Sequence, residues 1–305
     1  WSFFYYNVFL TDVYYALGTA EGITFVAASG DGGGMGYSAG PLGDLAYPAS
    51  SPWVLAVGGT NTYISGASAL QTAWSAIGMS PYDQNSGGTT GGYSAVEPMP
   101  PWQYQVVQKP PTGFPLGRAV PDISANAGLS PGIIIVTEDN QTLVAGGTSE
   151  AAEIVVGLMA ILDQASGSRL GLVTPSLYYL YSTGTCRLAF NNVTFGYDVP
   201  WTAGPGYNLL GGLGTLNVGY LSECLASLSR ANASSLSIVV YVNGNRTPLI
   251  LPGEELNVTA KVSGPWGPAW YGKFNVSLVT LSGVVEVAAM TYNWTDGLWT
   301  ARLRA

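Results

Sequence analysis

Two short apolar runs that each stop in a cluster of glycines do most to limit what this chain can fold into. Residues 23–28 form a nearly continuous apolar run ending in Ser29-Gly30-Asp31-Gly32-Gly33-Gly34, and Trp53 to Val57 form another, closed by Gly58-Gly59-Thr60. Runs this short and without alternation read as strands buried on both faces that run into tight loops. Ile133 to Val136 is a third. Helical patterns lie between them. Residues 8–20 can form a helix with an apolar face of Val8, Leu10, Val13, Tyr14 and Leu17. Residues 150–164 form a longer one, apolar from Ala151 to Leu162 and expected to be buried on most sides. Buried strands alternating with helices predict an α/β fold: a parallel sheet with helices on both faces.

The texture changes near residue 230. Segments 235–242, 254–263, 273–280, 283–291 and 297–303 are rich in Val, Thr and Tyr with period-two alternation, and turns such as Asn243-Gly244 and Asp296-Gly297 separate them. This predicts a small antiparallel β-sandwich of the immunoglobulin or fibronectin kind, incomplete because five strands are too few. The expected domains are residues 1–228 and residues 234–305. Residues 61–117 are loop-rich, with Gly87-Gly88, Gly91-Gly92 and the prolines Pro98, Pro100 and Pro101. The chain opens at Trp1 inside an apolar, aromatic stretch and stops at Ala305 straight after a strand-like segment, so a longer precursor is expected.

The charge pattern excludes some partners. With 10 basic and 18 acidic residues the net charge is -8, which argues against nucleic acid, whose phosphates need clustered Lys and Arg. No apolar run reaches the roughly 18 residues a membrane span needs. There is no histidine, so neither imidazole catalysis nor a histidine-ligated metal is encoded here. Charged residues make up 9%, and few carboxylates means little charge changes as pH falls, which suits an acidic medium. Two cysteines, Cys186 and Cys224, are compatible with one disulfide or with two buried thiols; the exported look of the chain favours the disulfide. Seven Asn-x-Ser/Thr sites, at Asn140, Asn192, Asn232, Asn245, Asn257, Asn275 and Asn293, are compatible with glycosylation outside the cell. The expectation is a secreted or cell-surface monomer, with attachment through the C-terminal region.

The chemistry centres on Gly146-Gly147-Thr148-Ser149, which opens the 150–164 helix. A serine at a helix N-terminus sees the positive end of the helix dipole and free N–H groups. Those groups can hold the oxyanion formed when a hydroxyl attacks a carbonyl. Alone, Gly-Thr-Ser is equally an N-cap, and Asp31 alone is equally a turn residue. The order of motifs is more specific. A strand ending in Ser29-Gly30-Asp31 is followed by Tyr47-Pro48-Ala49-Ser50-Ser51-Pro52-Trp53-Val54-Leu55-Ala56-Val57-Gly58-Gly59-Thr60, then by Gly147-Thr148-Ser149 opening a helix. Gly91-Gly92-Tyr93-Ser94 with Trp102-Gln103, then Arg118-Ala119-Val120-Pro121-Asp122-Ile123-Ser124-Ala125, then Gly157 to Gln164, Leu170-Gly171 and Pro175 to Tyr178 add to it. Over about residues 4–225 this resembles the sedolisin (serine-carboxyl peptidase) family, with its subtilisin-like fold.

The resemblance implies an endopeptidase that hydrolyses proteins and peptides in acid through an acyl-enzyme on Ser149, with Asp31 in the oxyanion hole. Subtilisins carry Asn at the place of Asp31. An Asp donates only when protonated, which makes sense in acid. The family's base, a Glu oriented by an Asp, lies upstream of the matched region, and no base is carried over to this chain; Asp12 and Glu21 align with the helix before Asp31 instead. Glu153 stands where relatives usually have Pro, and both Glu150 and Glu153 read as charges suited to a first helical turn. The resemblance also implies a structural calcium site at Asp198, the carbonyls of Val199, Gly204 and Gly206, and the side chain of Asn208, where Asn replaces an expected Asp. Two rival readings remain: a catalytically inactive sedolisin-like binding scaffold, and a subtilisin-type peptidase, which needs an upstream histidine motif.

Overall fold

The buried runs of the first part of the chain collect into one mixed sheet. The computed structural model describes residues 2–34, 45–66, 68–75, 87–130, 132–230, 237–246, 251, 253–264, 267–268, 275–280, 283–293 and 298–304. Two units separate: Trp1–Ala226 and Ser227–Ala305. The first unit begins with α1 (Ser2–Ala20), β1 (Val26–Ala28), β2 (Leu55–Ser65), β3 (Ser68–Ala73), β4 (Gly92–Pro98), β5 (Gly117–Val120) and β6 (Ile123–Asn126). It continues with β7 (Ile133–Val136), β8 (Thr142–Ala145), α2 (Thr148–Ser166) and α3 (Thr174–Thr183). The short strands β9 (Phe190–Asn191), β10 (Tyr197–Asp198), β11 (Trp201–Thr202) and β12 (Thr215–Leu216) precede α4 (Val218–Arg230).

The main sheet runs β1-β2-β6-β12-β9, with β3 folded back on β2. β1, β2, β6 and β12 are parallel and β9 is antiparallel. Helix α2 lies across β1, β2 and β6. Ala151, Val155, Met159 and Leu162, spaced by three or four residues, form the stripe it buries. The two glycines of β2 answer to close packing, since a β-carbon on Gly59 would lie 2.6 Å from Ala127. Cys186 and Cys224 form a disulfide that ties the segment after α3 to α4.

Three expectations about burial need correction. In α1 only Val8 of the expected apolar face is buried; Leu10, Val13, Tyr14 and Leu17 face outward, and Asp12 and Thr19 lie inside. The inward side is polar because Ser51 and Tyr47 supply partners for Asp12. Ile133 to Val136 do form a strand, but it pairs with β8 as a separate antiparallel hairpin, and all four residues are exposed. Helix α2 is buried along one side only, with Val156 and Ile161 exposed.

The second unit contains β13 (Ser237–Val242), β14 (Glu255–Gly264), β15 (Gly267–Pro268), β16 (Asn275–Thr280), β17 (Gly283–Ala289), β18 (Thr291–Asn293) and β19 (Leu298–Arg304). One antiparallel sheet runs β13-β14-β19-β18 with β15 on β14, and β16 pairs β17 in a second. Leu256, Val258 and Leu303 of the first pack with Val276, Leu278 and Ala288 of the second. Two sheets sharing one apolar layer is sandwich packing. The Asp296-Gly297 turn and Asn232 lie outside the described residues. Among the described residues no helix is long and apolar enough to cross a membrane.

Candidate active site

The loop after β1 carries Asp31 to the N-terminus of α2. Ser29 N–H donates to Val57 O at 2.8 Å, which continues the β1–β2 pairing. Beyond it the chain pairs with residues 88–90: Thr90 N–H donates to Gly30 O, Gly88 N–H to Asp31 O and Gly33 N–H to Gly88 O. The Asp31 carboxylate then meets Thr148 twice. Its Oδ1 accepts the Thr148 N–H at 2.7 Å and the Thr148 hydroxyl at 2.6 Å. Gly30 N–H in turn donates to Thr148 Oγ1 at 3.1 Å, so the threonine's own proton is left to point at Asp31. Both donors converge on Oδ1, and Oδ2 lies on the side of Gly147. Gly147 makes this approach possible. It has φ 93°, and a β-carbon there would fall 2.8 Å from Asp31 Oδ2. Ser149 is the next residue, exposed, in the first turn of α2.

The two glutamates beside Ser149 differ. Glu153 is exposed, in keeping with a surface charge in an N-terminal turn. Glu150 is buried instead. Its Oε1 accepts from Asn126 Nδ2 at 3.0 Å, and its Oε2 has no hydrogen-bond partner. Burial pushes its carboxyl above the ordinary value, against the pull of the bonds from Asn126 and the Ile133 N–H. No sequence signal distinguishes it from Glu153, because its partner Asn126 comes from β6.

Beneath the site the remaining motifs converge on one buried ion pair. Arg118 and Asp122 are both fully buried, with Nη2 2.6 Å from Oδ2. Arg118 also donates to Ser51 O and Val54 O, and Asp122 accepts from Ala56 N–H and the Tyr178 hydroxyl. Gln103 bridges Ala119 and Tyr178. Burial works against the Arg118 charge, but Asp122 beside it outweighs that and raises the guanidinium above its ordinary value. The pair and Gln103 together tie four segments distant in sequence, and removing either ion partner costs roughly 3–5 kcal/mol.

The residues expected to hold calcium are engaged with the protein. Asn208 Nδ2 donates to Val193 O and Gly204 O, and its Oδ1 accepts from Leu210 N–H and Gly211 N–H. These four bonds also fix which end of the amide is oxygen. Asp198, itself buried, lies against Gly33 of the Asp31 loop and Gly88 of the segment paired with it. Among the described residues no three acidic or cysteine side chains gather around a common point. Calcium asks for six or more oxygens. Asn208 Oδ1 already accepts two N–H bonds, so of the expected set the Asp198 carboxylate and the carbonyls of Val199, Gly204 and Gly206 are the oxygens left to a cation. Positions of Val199 and Gly206 add only backbone; Gly206 N–H donates to Asn192 Oδ1.

The sequence and the fold of the first unit have counterparts among known proteins. The family model described as the subtilase family matches residues 10–177. The chain belongs to the subtilase family, in its sedolisin group. Kumamolisin of Bacillus sp. (strain MN-32) is 35% identical over 70% of this chain and 38% of its own length. Sedolisin of Pseudomonas sp. (strain 101) is 36% identical over 71% of this chain and 37% of its own. A solved structure, Pseudomonas sedolisin (serine-carboxyl proteinase) complexed with two molecules of pseudo-iodotyrostatin, superposes with a TM-score of 0.62 at 34% identity, covering 71% of this chain and 59% of that one. The first unit thus has the subtilisin-like sedolisin fold. The chain spans well under half the length of the curated relatives it matches.

Proposed function

We propose that this chain carries the nucleophile and oxyanion-binding half of an acid-active serine endopeptidase. Ser149 Oγ attacks the scissile carbonyl carbon, and its proton passes to a base. A tetrahedral oxyanion forms. The C–N bond then breaks, the leaving amine takes up the proton, and Ser149 is left acylated; water hydrolyses the ester. The observation that carries this reading is the double donation from Thr148 to Oδ1 of Asp31. It leaves Oδ2 to bear the proton in acid, so a neutral Asp31 can donate to the oxyanion together with the Ser149 N–H. Asp31 is engaged by Thr148 and Glu150 is turned to Asn126. The base is therefore assigned to a carboxylate from the upstream Glu and Asp that the family resemblance implies. The absence of histidine in the chain excludes a histidine base encoded within it. Secretion and an acidic working medium belong to the same proposal.

The test uses the full-length, processed protein at about pH 3–4 and an activated peptide ester, with the adduct mapped by mass spectrometry. We expect acylation on the peptide containing Ser149, absent in Ser149→Ala and lost near neutral pH. No adduct and no proteolysis anywhere in the acid range would leave the inactive-scaffold reading in its place.

A further inference from the structure

Away from the site, α1 meets β4 through two carboxyl groups. Asp12 is 7% exposed and Glu97 3% exposed, and their carboxyl groups lie within hydrogen-bonding reach of each other. Asp12 is otherwise well supplied: its Oδ1 accepts from Ser51 Oγ at 2.7 Å and from the Tyr47 hydroxyl at 3.0 Å. Glu97 is not. Its backbone N–H donates to Ser94 Oγ, but its Oε1 is buried with no partner. Two buried carboxylates cannot hydrogen-bond unless one of them keeps a proton. The charged and titratable groups around the pair do not remove that need. Arg118 of β5 favours ionisation, but its guanidinium is committed to Asp122. Tyr47 stays neutral, because burial and then the Asp12 charge raise its hydroxyl, and Tyr15 of α1 packs its ring against Tyr47.

We propose that Asp12 and Glu97 share one proton as a latch that holds α1 against β4 in acid and releases it as the medium turns alkaline. Helix α1 leans on such a contact because, among its residues with described side chains, Phe9, Leu10, Val13, Tyr14 and Leu17 are exposed. Inward it buries Val8, Asp12 and Thr19, with Tyr15 half-buried against Phe25 and Tyr47.

The direction follows from the proton affinities. Burial first, then the charge and hydrogen bond of Asp12, push Glu97 up to about 8 from its ordinary 4.5, with Arg118 opposing. Burial raises Asp12 as well, against its bonds from Ser51, Tyr47 and Glu97 and the Arg118 charge, so the two titrate as a pair. Below pH 4.5 the folded and unfolded chains both carry the Glu97 proton, and the latch contributes fully. Between 4.5 and about 8 only the folded chain keeps it, so stability falls as pH rises, and above about 8 the contribution is gone.

The experiment compares thermal and urea unfolding of the full-length protein with Glu97→Gln from pH 4.5 to 9. A glutamine amide donates to the Asp12 carboxylate at any pH. Relative to the variant, the wild-type unfolding constant is expected to rise by up to about tenfold per pH unit across the window. Parallel curves for the two proteins overturn the latch. A second measurement stands even where the variant fails to fold. Hydrogen exchange of wild-type residues 8–20, corrected for the intrinsic pH dependence, is followed against residues 174–183 of α3. The expected result is at least a tenfold greater loss of protection in α1 between pH 5 and 9. Equal change in the two helices overturns the proposal.

Discussion

At the scale of single residues, Thr148 is the position where a motif and its mechanism part company. Gly-Thr-Ser is visible in any reading of the sequence, and so are Asp31 and Ser149. That Thr148 orients Asp31 is not visible, because the bond joins residues 117 apart. The same holds for Glu150, whose carboxylate reads as a helix-end charge until β6 brings Asn126 to it. Glu97 lacked any signal at all, since a lone glutamate before a proline reads as loop. The orienting role of Thr148 makes a specific prediction. Thr148→Val keeps the N–H bond and loses the hydroxyl, so Asp31 is free to place its proton on either oxygen. We expect kcat to fall about 10- to 100-fold, within the range for a weakened oxyanion donor, with little change in KM. The alkaline limb of the pH–rate profile, where the donated proton is lost, should shift, and Thr148→Ser should restore both. An unchanged kcat and pH profile in Thr148→Val would remove the role.

At the scale of elements, pattern revealed which segments are helices and strands more readily than which way they face. The α1 and α2 helices and the strands at 26–28, 55–65 and 123–126 lie on recognisable apolar runs or motifs. Orientation failed for α1 because a carboxyl with satisfied partners can occupy the inward side while tyrosine and leucine stay outside. It failed for β7 because a run of Ile-Ile-Ile-Val does not tell a sheet interior from an exposed hairpin. The cysteine pair is joined, as its even count suggests. The disulfide closes a separation of 38 residues between the end of α3 and α4. A loop of that size is worth about 3–4 kcal/mol by restriction of the unfolded chain. Cys224→Ser is therefore expected to lower the urea midpoint of the first unit by that amount divided by its m-value. Reduction of the wild type should reproduce the shift without adding to it in the variant. A midpoint insensitive to both would place α4 outside the cooperative unit.

At the scale of the molecule, the first unit leaves several large apolar side chains in water. Tyr14 is 66% exposed and Leu17 58% on α1, and Ile134 is 68% exposed and Val136 63% on the β7–β8 hairpin. The outer strand β1 pairs only with β2, so one side of its backbone lacks a strand partner among the described residues. Open strand edges and apolar patches of this kind are associating surfaces. The solved sedolisin has more chain than is matched here: the superposition accounts for 59% of it. The physical expectation is that residues 1–228, produced alone, bind a hydrophobic dye and self-associate at micromolar concentration. Residues 234–305 should instead remain monomeric, because Leu256, Val258, Leu303 and Trp299 bury their side chains within that unit. Light scattering and dye fluorescence on the two pieces decide it. Replacing Ile134 and Val136 with Thr should reduce association of the first piece while leaving its far-ultraviolet circular dichroism unchanged, since both side chains already face solvent. A monomeric, dye-silent first piece would mean that these side chains pack on one another in solution and are not an interface awaiting cover.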